Sequence, residues 1–172
     1  MIYAVKFGNY EALKVMLDAG VSPVVSDSTG NTPLHFAVEL DDKTSAFPIL
    51  DLLLKHPHQR PEDKIAFLES RNQYGLTPLG RCILLLYRHP ELRKEMLNAM
   101  QKHGAKIQNC LQESTTKSIL HQAIRRGALE PVAFLLENKH SVKVADSQYN
   151  TPLHEACTKG HLEIVKLICK TL

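Results

Sequence analysis

No run of eighteen apolar residues occurs in the 172-residue chain, so no stretch of it is long and apolar enough to cross a bilayer as a helix. The run Cys82-Ile83-Leu84-Leu85-Leu86-Tyr87 is far too short and reads as a buried helix with an aromatic end. The opening MIYAVKFGNYE lacks a basic n-region and a cleavage signal, and so reads as structure, not as a targeting peptide. Cys82, Cys110, Cys157 and Cys169 include no C-x-x-C pair, which argues for reduced thiols in a cytosolic or nuclear compartment and against zinc. The net charge is only +3 and no dense Lys/Arg run is present, which disfavours nucleic acid as a partner. Apolar residues at 44% and charged residues at 23% are ordinary for a globular domain.

Catalytic signatures are missing as well. There is no phosphate-binding G-x-x-x-x-G-K-[ST] loop and no G-x-S-x-G nucleophile turn. His154-Glu155-Ala156-Cys157 has no second histidine at the spacing that H-E-x-x-H requires. His56-Pro57-His58 stands without a cysteine or carboxylate at ligand spacing and reads as a surface loop. The acid pairs Asp41-Asp42 and Glu62-Asp63 read as exposed turns. No catalytic residue, metal site, cofactor or small-molecule substrate is therefore expected.

What the chain does contain is a recurrence. Thr32-Pro33-Leu34-His35, Thr77-Pro78-Leu79-Gly80, Ser118-Ile119-Leu120-His121 and Thr151-Pro152-Leu153-His154 each open an apolar stretch. Their leucines are spaced by 45, 41 and 33 residues, and Met1 to Gly20 matches Leu153 to Leu172 position against position, so that Met1 stands at a fifth marker position. A period of 33 with insertions is that of a repeat array. Each tetrapeptide suits a helix start: the hydroxyl caps a backbone N–H, proline tolerates the first turn, and the leucine points inward. Two short amphipathic helices follow each one. Apolar positions fall at Ala4, Val5, Tyr10, Leu13, Met16 and Leu17 in the first repeat and at Ala123, Ile124, Leu129, Val132, Leu135 and Leu136 in the fourth. The fifth has Ala156, Cys157, Leu162, Val165, Ile168 and Cys169.

The chain resembles the ankyrin-repeat proteins over its whole length. A fixed period, TPLH and a following G-x-x-E/P helix start carry that resemblance, and they are specific for fold. It implies an all-α solenoid of stacked antiparallel helix pairs joined by β-turn fingers, a single domain with repeats at about 1–31, 32–76, 77–117, 118–150 and 151–172. Insertions would lie near 41–47, 57–70 and 84–91, with Pro57 and Pro61 breaking a helix and Ile65, Phe67 and Leu68 packing back on the array. Thr32, His35, Thr77, His121, Thr151 and His154 would be structural motif residues, their rings and hydroxyls bonded to each other and to backbone; Gly80 would break that network in the third repeat. Cys82 and Cys157 would take small inner positions. Tyr149 stands where a turn glycine is usual, so that Tyr149 or Asn150 would adopt a strained turn, and the finger Glu113 to Lys117 has no glycine.

The function that the resemblance implies is recognition by surface: a non-enzymatic module binding a protein or peptide on the concave face of fingers and first helices. By position that face would present Phe7, Asn31, Glu39, Arg71, Gln73, Tyr74 and Leu76 in its first half. Lys117, Arg125, Arg126, Gln148 and Lys159 would follow in its second half. Tyr74, Leu76, Arg71 and Arg125 would be the energetic anchors, since Tyr and Arg dominate interface hot spots. The arginines and lysines would form a partial stripe interrupted by Glu39, Asp41 and Asp42. The alternative is the targeting domain of a larger multidomain enzyme, such as a bacterial effector or a ubiquitin ligase, placed then in a host cytosol. Neither end has a polar capping face, so flanking sequence is expected, and the chain is expected to be monomeric.

Overall fold

The computed structural model describes residues 1–57, 61–111 and 118–172. The array begins with the pair α1 (Ile2–Lys6) and α2 (Tyr10–Asp18), followed by α3 (Pro33–Ala37) and α4 (Lys43–Lys55). The third pair is α6 (Pro78–Leu84) and α7 (Pro90–Lys102), the fourth α9 (Ile119–Arg125) and α10 (Leu129–Glu137), the fifth α11 (Pro152–Lys159) and α12 (Leu162–Cys169). Two further helices, α5 (Pro61–Glu69) and α8 (Ile107–Leu111), lie between pairs, and no strand occurs among the described residues. The all-α solenoid expected from the sequence is the observed one.

The first helices stack as one layer, α1 on α3, α3 on α6, α6 on α9 and α9 on α11, while α2, α4 and α7 stack behind them. Between the layers runs a continuous core that includes Leu13, Leu34, Ile49, Leu79, Ile83, Leu120, Ile124, Leu135 and Ile168, all fully buried or nearly so. Burying one such side chain contributes about 1.5–3 kcal/mol. Asn9 caps α2 through Ala12 N–H at 2.9 Å, and Asp42 caps α4 through Thr44 N–H at 3.1 Å. Residues 43–47, which the sequence suggested as an insertion, are the first turn of α4; Pro48 follows inside this helix without ending it. Gly127 turns the chain after α9 with φ 66°, and a Cβ there would lie 2.8 Å from His161 Cε1. Glycine is thus required both for the backbone conformation and for the close approach.

Several apolar positions turn out differently from the periodic reading. Leu129 and Leu162, each the first residue of its helix, are 40% and 62% exposed, because side chains in the first turn lean back off the stack. Cys157 and Cys169 are exposed too. Each directly follows a fully buried residue, Ala156 or Ile168, and one step of about 100° carries it off the core face. In α5, Phe67 and Leu68 pack inward as expected, but Ile65 is 62% exposed.

Candidate interaction surface

Three fingers are built on one local rule. Asp27 Oδ1 accepts from the N–H groups of Thr29 and Asn31, both at 2.9 Å. Asn72 Oδ1 does the same for Tyr74 and Leu76 (3.0 and 3.1 Å), and Asp146 Oδ1 for Gln148 and Asn150 (2.8 and 2.9 Å). These N–H bonds, led by that of Asn150, hold the Asp146 carboxyl below the ordinary carboxylate pKa. The residue three places on takes a positive φ: Gly30 at 76°, Gly75 at 69° and Tyr149 at 60°. The strained turn expected at Tyr149 or Asn150 therefore falls on Tyr149, at a cost of about 1–2 kcal/mol. Asp or Asn five residues ahead of the motif threonine was a visible signal for this rule, and the sequence reading missed it.

The motif side chains tie consecutive pairs together. His35 Nδ1 accepts from Thr32 N–H at 3.1 Å, so its Nε2 carries the proton and donates to the Leu76 carbonyl at 2.9 Å. His121 joins Ser118 at 2.8 Å and donates from Nε2 to the Asn150 carbonyl at 2.8 Å. His154 accepts from Thr151 N–H at 3.1 Å. In the third repeat Thr77 Oγ1 accepts from Gly80 N–H, and Cys110 Sγ from α8 lies 3.1 Å from it, in place of an imidazole. Burial pushes the Cys110 thiol up to about 11 and Cys82 to about 12, so both stay protonated.

Burial also lowers the pKa of His35, against the opposing pull of the Leu76 carbonyl. The unfolded chain then takes up this proton first, near its ordinary value of about 6.5. The stability due to neutral His35 is present above that value and is lost as pH falls through the lower folded pKa. Urea midpoints are expected to drop between pH 7 and pH 5.5, and His35→Gln is expected to flatten that slope; an unchanged slope would remove His35 as its source.

Among the residues expected on the concave face, Phe7, Tyr74, Gln73, Gln148 and Lys159 are exposed. Phe7 stacks on Tyr3 with ring centres 6.4 Å apart. Others are already engaged. Leu76 is 4% exposed and belongs to the core, because the finger folds it under the motif helix; it cannot serve as a surface anchor. Arg71 donates to the carbonyls of Gly75 (2.7 Å) and Asn109 (2.5 Å), locking the second finger to α8. Asn31 accepts from Asn72 Nδ2 at 2.8 Å, joining two fingers. Lys117 and the finger Glu113 to Lys117 lie outside the described residues, as does His58.

A regular ladder of side chains crosses the joints of the first-helix layer. The residue five after a marker in one repeat meets the residue two after the marker in the next. Lys6 Nζ sits 5.8 Å from the Phe36 ring centre, Glu39 binds Arg81 at 2.8 Å, and Arg125 binds Glu155 through two bonds of 3.0 Å. The joint between the third and fourth pairs differs: Leu84 there is buried, and the Gln122 amide turns to the Tyr74 carbonyl at 3.5 Å.

Behind this layer lies an ionic knot that the sequence did not reveal. Arg93 of α7 is fully buried; Nη1 donates to the Leu40 carbonyl at 2.8 Å and Nη2 binds Asp41 Oδ1 at 2.5 Å. Asp41 also receives Arg88 at 3.1 Å. Asp41 is thus a structural hub and not merely part of an exposed turn, whereas Asp42 is the α4 cap. Among the described residues no group of three or more His, Cys, Asp or Glu side chains could hold a metal ion, and no helix is long and apolar enough to cross a membrane.

The family model for ankyrin repeats matches residues 1–109 and 86–171. Over 165 residues the chain is 27% identical to "Ankyrin repeat protein nuc-2" of Neurospora crassa, covering 95% of this chain and 14% of that protein. It is 37% identical over 68 residues to "Arf-GAP with coiled-coil, ANK repeat and PH domain-containing protein 2" of Gallus gallus, 40% of this chain and 9% of the relative. It is 26% identical over 151 residues to "Probable 26S proteasome regulatory subunit p28" of Saccharomyces cerevisiae, 83% of this chain and 56% of the relative. The chain thus spans only part of each of these relatives. With paired helices, Asp/Asn-nucleated fingers and motif histidines that bridge to the next repeat, the chain belongs to the ankyrin-repeat family.

Proposed function

We propose that the chain is a non-enzymatic module that takes a protein or peptide partner on the side formed by the first helices and fingers. Ankyrin repeats are generally protein-interaction modules. The observation that carries the reading here is a set of exposed aromatic rings in the first pair and the fingers. Tyr3, Phe7, Tyr74 and Tyr149 are 74%, 76%, 55% and 87% exposed, on α1, at its C-cap and at two finger tips. Exposed aromatics held on a rigid frame lose little entropy on binding and supply large contact area. The relative whose name places ANK repeats beside an Arf-GAP and a PH domain favours a second reading, in which this module directs a larger multidomain protein to its target.

Capture from a cell lysate tests the first reading, with the intact chain compared against Phe7→Ala/Tyr74→Ala and against Lys94→Ala/Glu95→Ala on α7. A partner retained by the intact chain and the α7 variant, but lost by the aromatic variant, is the expected result. Equal capture by all three chains would place binding elsewhere on the surface.

A further inference from the structure

We infer that this side binds an acidic peptide segment at the joint between the third and fourth helix pairs, with Arg126 as the carboxylate anchor. The inference rests on the reading above, that partners dock on the first helices and fingers. Each cation on the ladder of that layer already has a partner: Lys6 a ring, Arg81 the carboxylate of Glu39, Arg125 that of Glu155. Arg126 stands one place beyond the ladder and is exposed. Its Nη1 donates to the Gln122 carbonyl at 2.9 Å, and no carboxylate of the described residues lies within ion-pair range of it.

The surroundings of Arg126 favour an incoming anion. Desolvation and the like charges of Arg81 and Arg125 lower its pKa, with Tyr87 acting in the opposite sense. The guanidinium stays protonated regardless, so a partly desolvated cation stands beside two arginines whose own charges are already paired. A carboxylate brought there gains a bidentate, charge-assisted contact. Tyr74 at 55% and Tyr87 at 47% exposure supply ring surface for the peptide's apolar side chains, and the Tyr74 finger is already tied to Gln122 of α9.

A peptide fits this site better than a nucleic acid. A phosphate backbone needs a row of uncompensated cations, whereas Glu39 and Glu155 neutralise the arginines on either side of this one. With Arg81 and Arg125 already paired, the site suits a segment whose acid falls at Arg126 and not a continuous polyanion.

The test uses the full chain and a short fluorescent peptide in which Asp and Glu alternate with Leu and Tyr, read by polarisation at low salt. Its Asn/Gln counterpart is expected to bind about tenfold more weakly. Arg126→Gln and Arg126→Glu, both with intact helical circular dichroism, are expected to cost the acidic probe about tenfold or more, and Lys94→Ala nothing. Equal binding of the acidic and amide peptides, or no effect of Arg126→Gln, would overturn the inference. So would a labelled oligonucleotide that binds through Arg126 more tightly than the acidic peptide. If Tyr74-dependent capture persists while the acidic probe fails, the acidic-partner inference falls and the docking side stands.

Discussion

Asp41→Ala is expected to lower the unfolding free energy by about 3 kcal/mol, because it strands the Arg93 guanidinium in the core without its counter-ion. Arg93 has no exposed surface, and its Nε already lacks an acceptor among the described residues. The Leu40 carbonyl would still hold Nη1, and the Asp41 side chain is 34% exposed, which together keep the loss near the lower end for a broken buried pair. Arg93→Met is the informative companion. It fills much of the same volume and removes the charge that needs a partner, while Asp41 keeps Arg88, so its cost should stay within about 1 kcal/mol. Urea unfolding of both variants decides the matter. Equal losses would mean that the pair acts as an ordinary contact and that burial of charge is not what Asp41 relieves.

Phe67→Ala is expected to cost about 3–5 kcal/mol, as much as a substitution in the regular core. Helix α5 has no counterpart in a 33-residue repeat, yet it packs on α6 with Phe67 only 1% exposed. Its end is also tied down, since Glu69 Oε1 accepts from Lys106 N–H at 2.9 Å in the loop after α7. Ile65→Ala on the outer side of the same helix should change stability by less than about 0.5 kcal/mol. If both substitutions prove equally mild, α5 is an appendage whose packing contributes little.

These two sites mark where sequence reasoning stopped. The helix pairs, the inward leucines and the histidine bridges could be read because they repeat, and a repeated pattern averages out local accident. Phe67 and Leu68 were legible as packing residues, since an apolar cluster after a proline has few other uses, but Ile65 beside them could not be separated from pattern alone. Arg93 and Asp41 lie far apart in sequence and join only through a helix pairing in which α4 and α7 stack; no periodicity announces one arginine as buried. Leu76 failed as an anchor for a similar reason. Its position beside the finger tip suggested exposure, whereas the Asn72 turn folds it beneath the motif helix.

The side-chain ladder across the first helices restricts how the units can be ordered. Glu39 presents an acid to the following unit and Arg125 presents a base, while Arg81 and Glu155 answer with the opposite sign. Placing the fifth unit directly after the second would set Glu39 against Glu155, and placing the third after the fourth would set Arg125 against Arg81. At these two joints neighbours recognise each other by charge, so the units are not interchangeable bricks. The ladder thereby selects against both of those rearrangements, so that the scaffold carries some of its own ordering information.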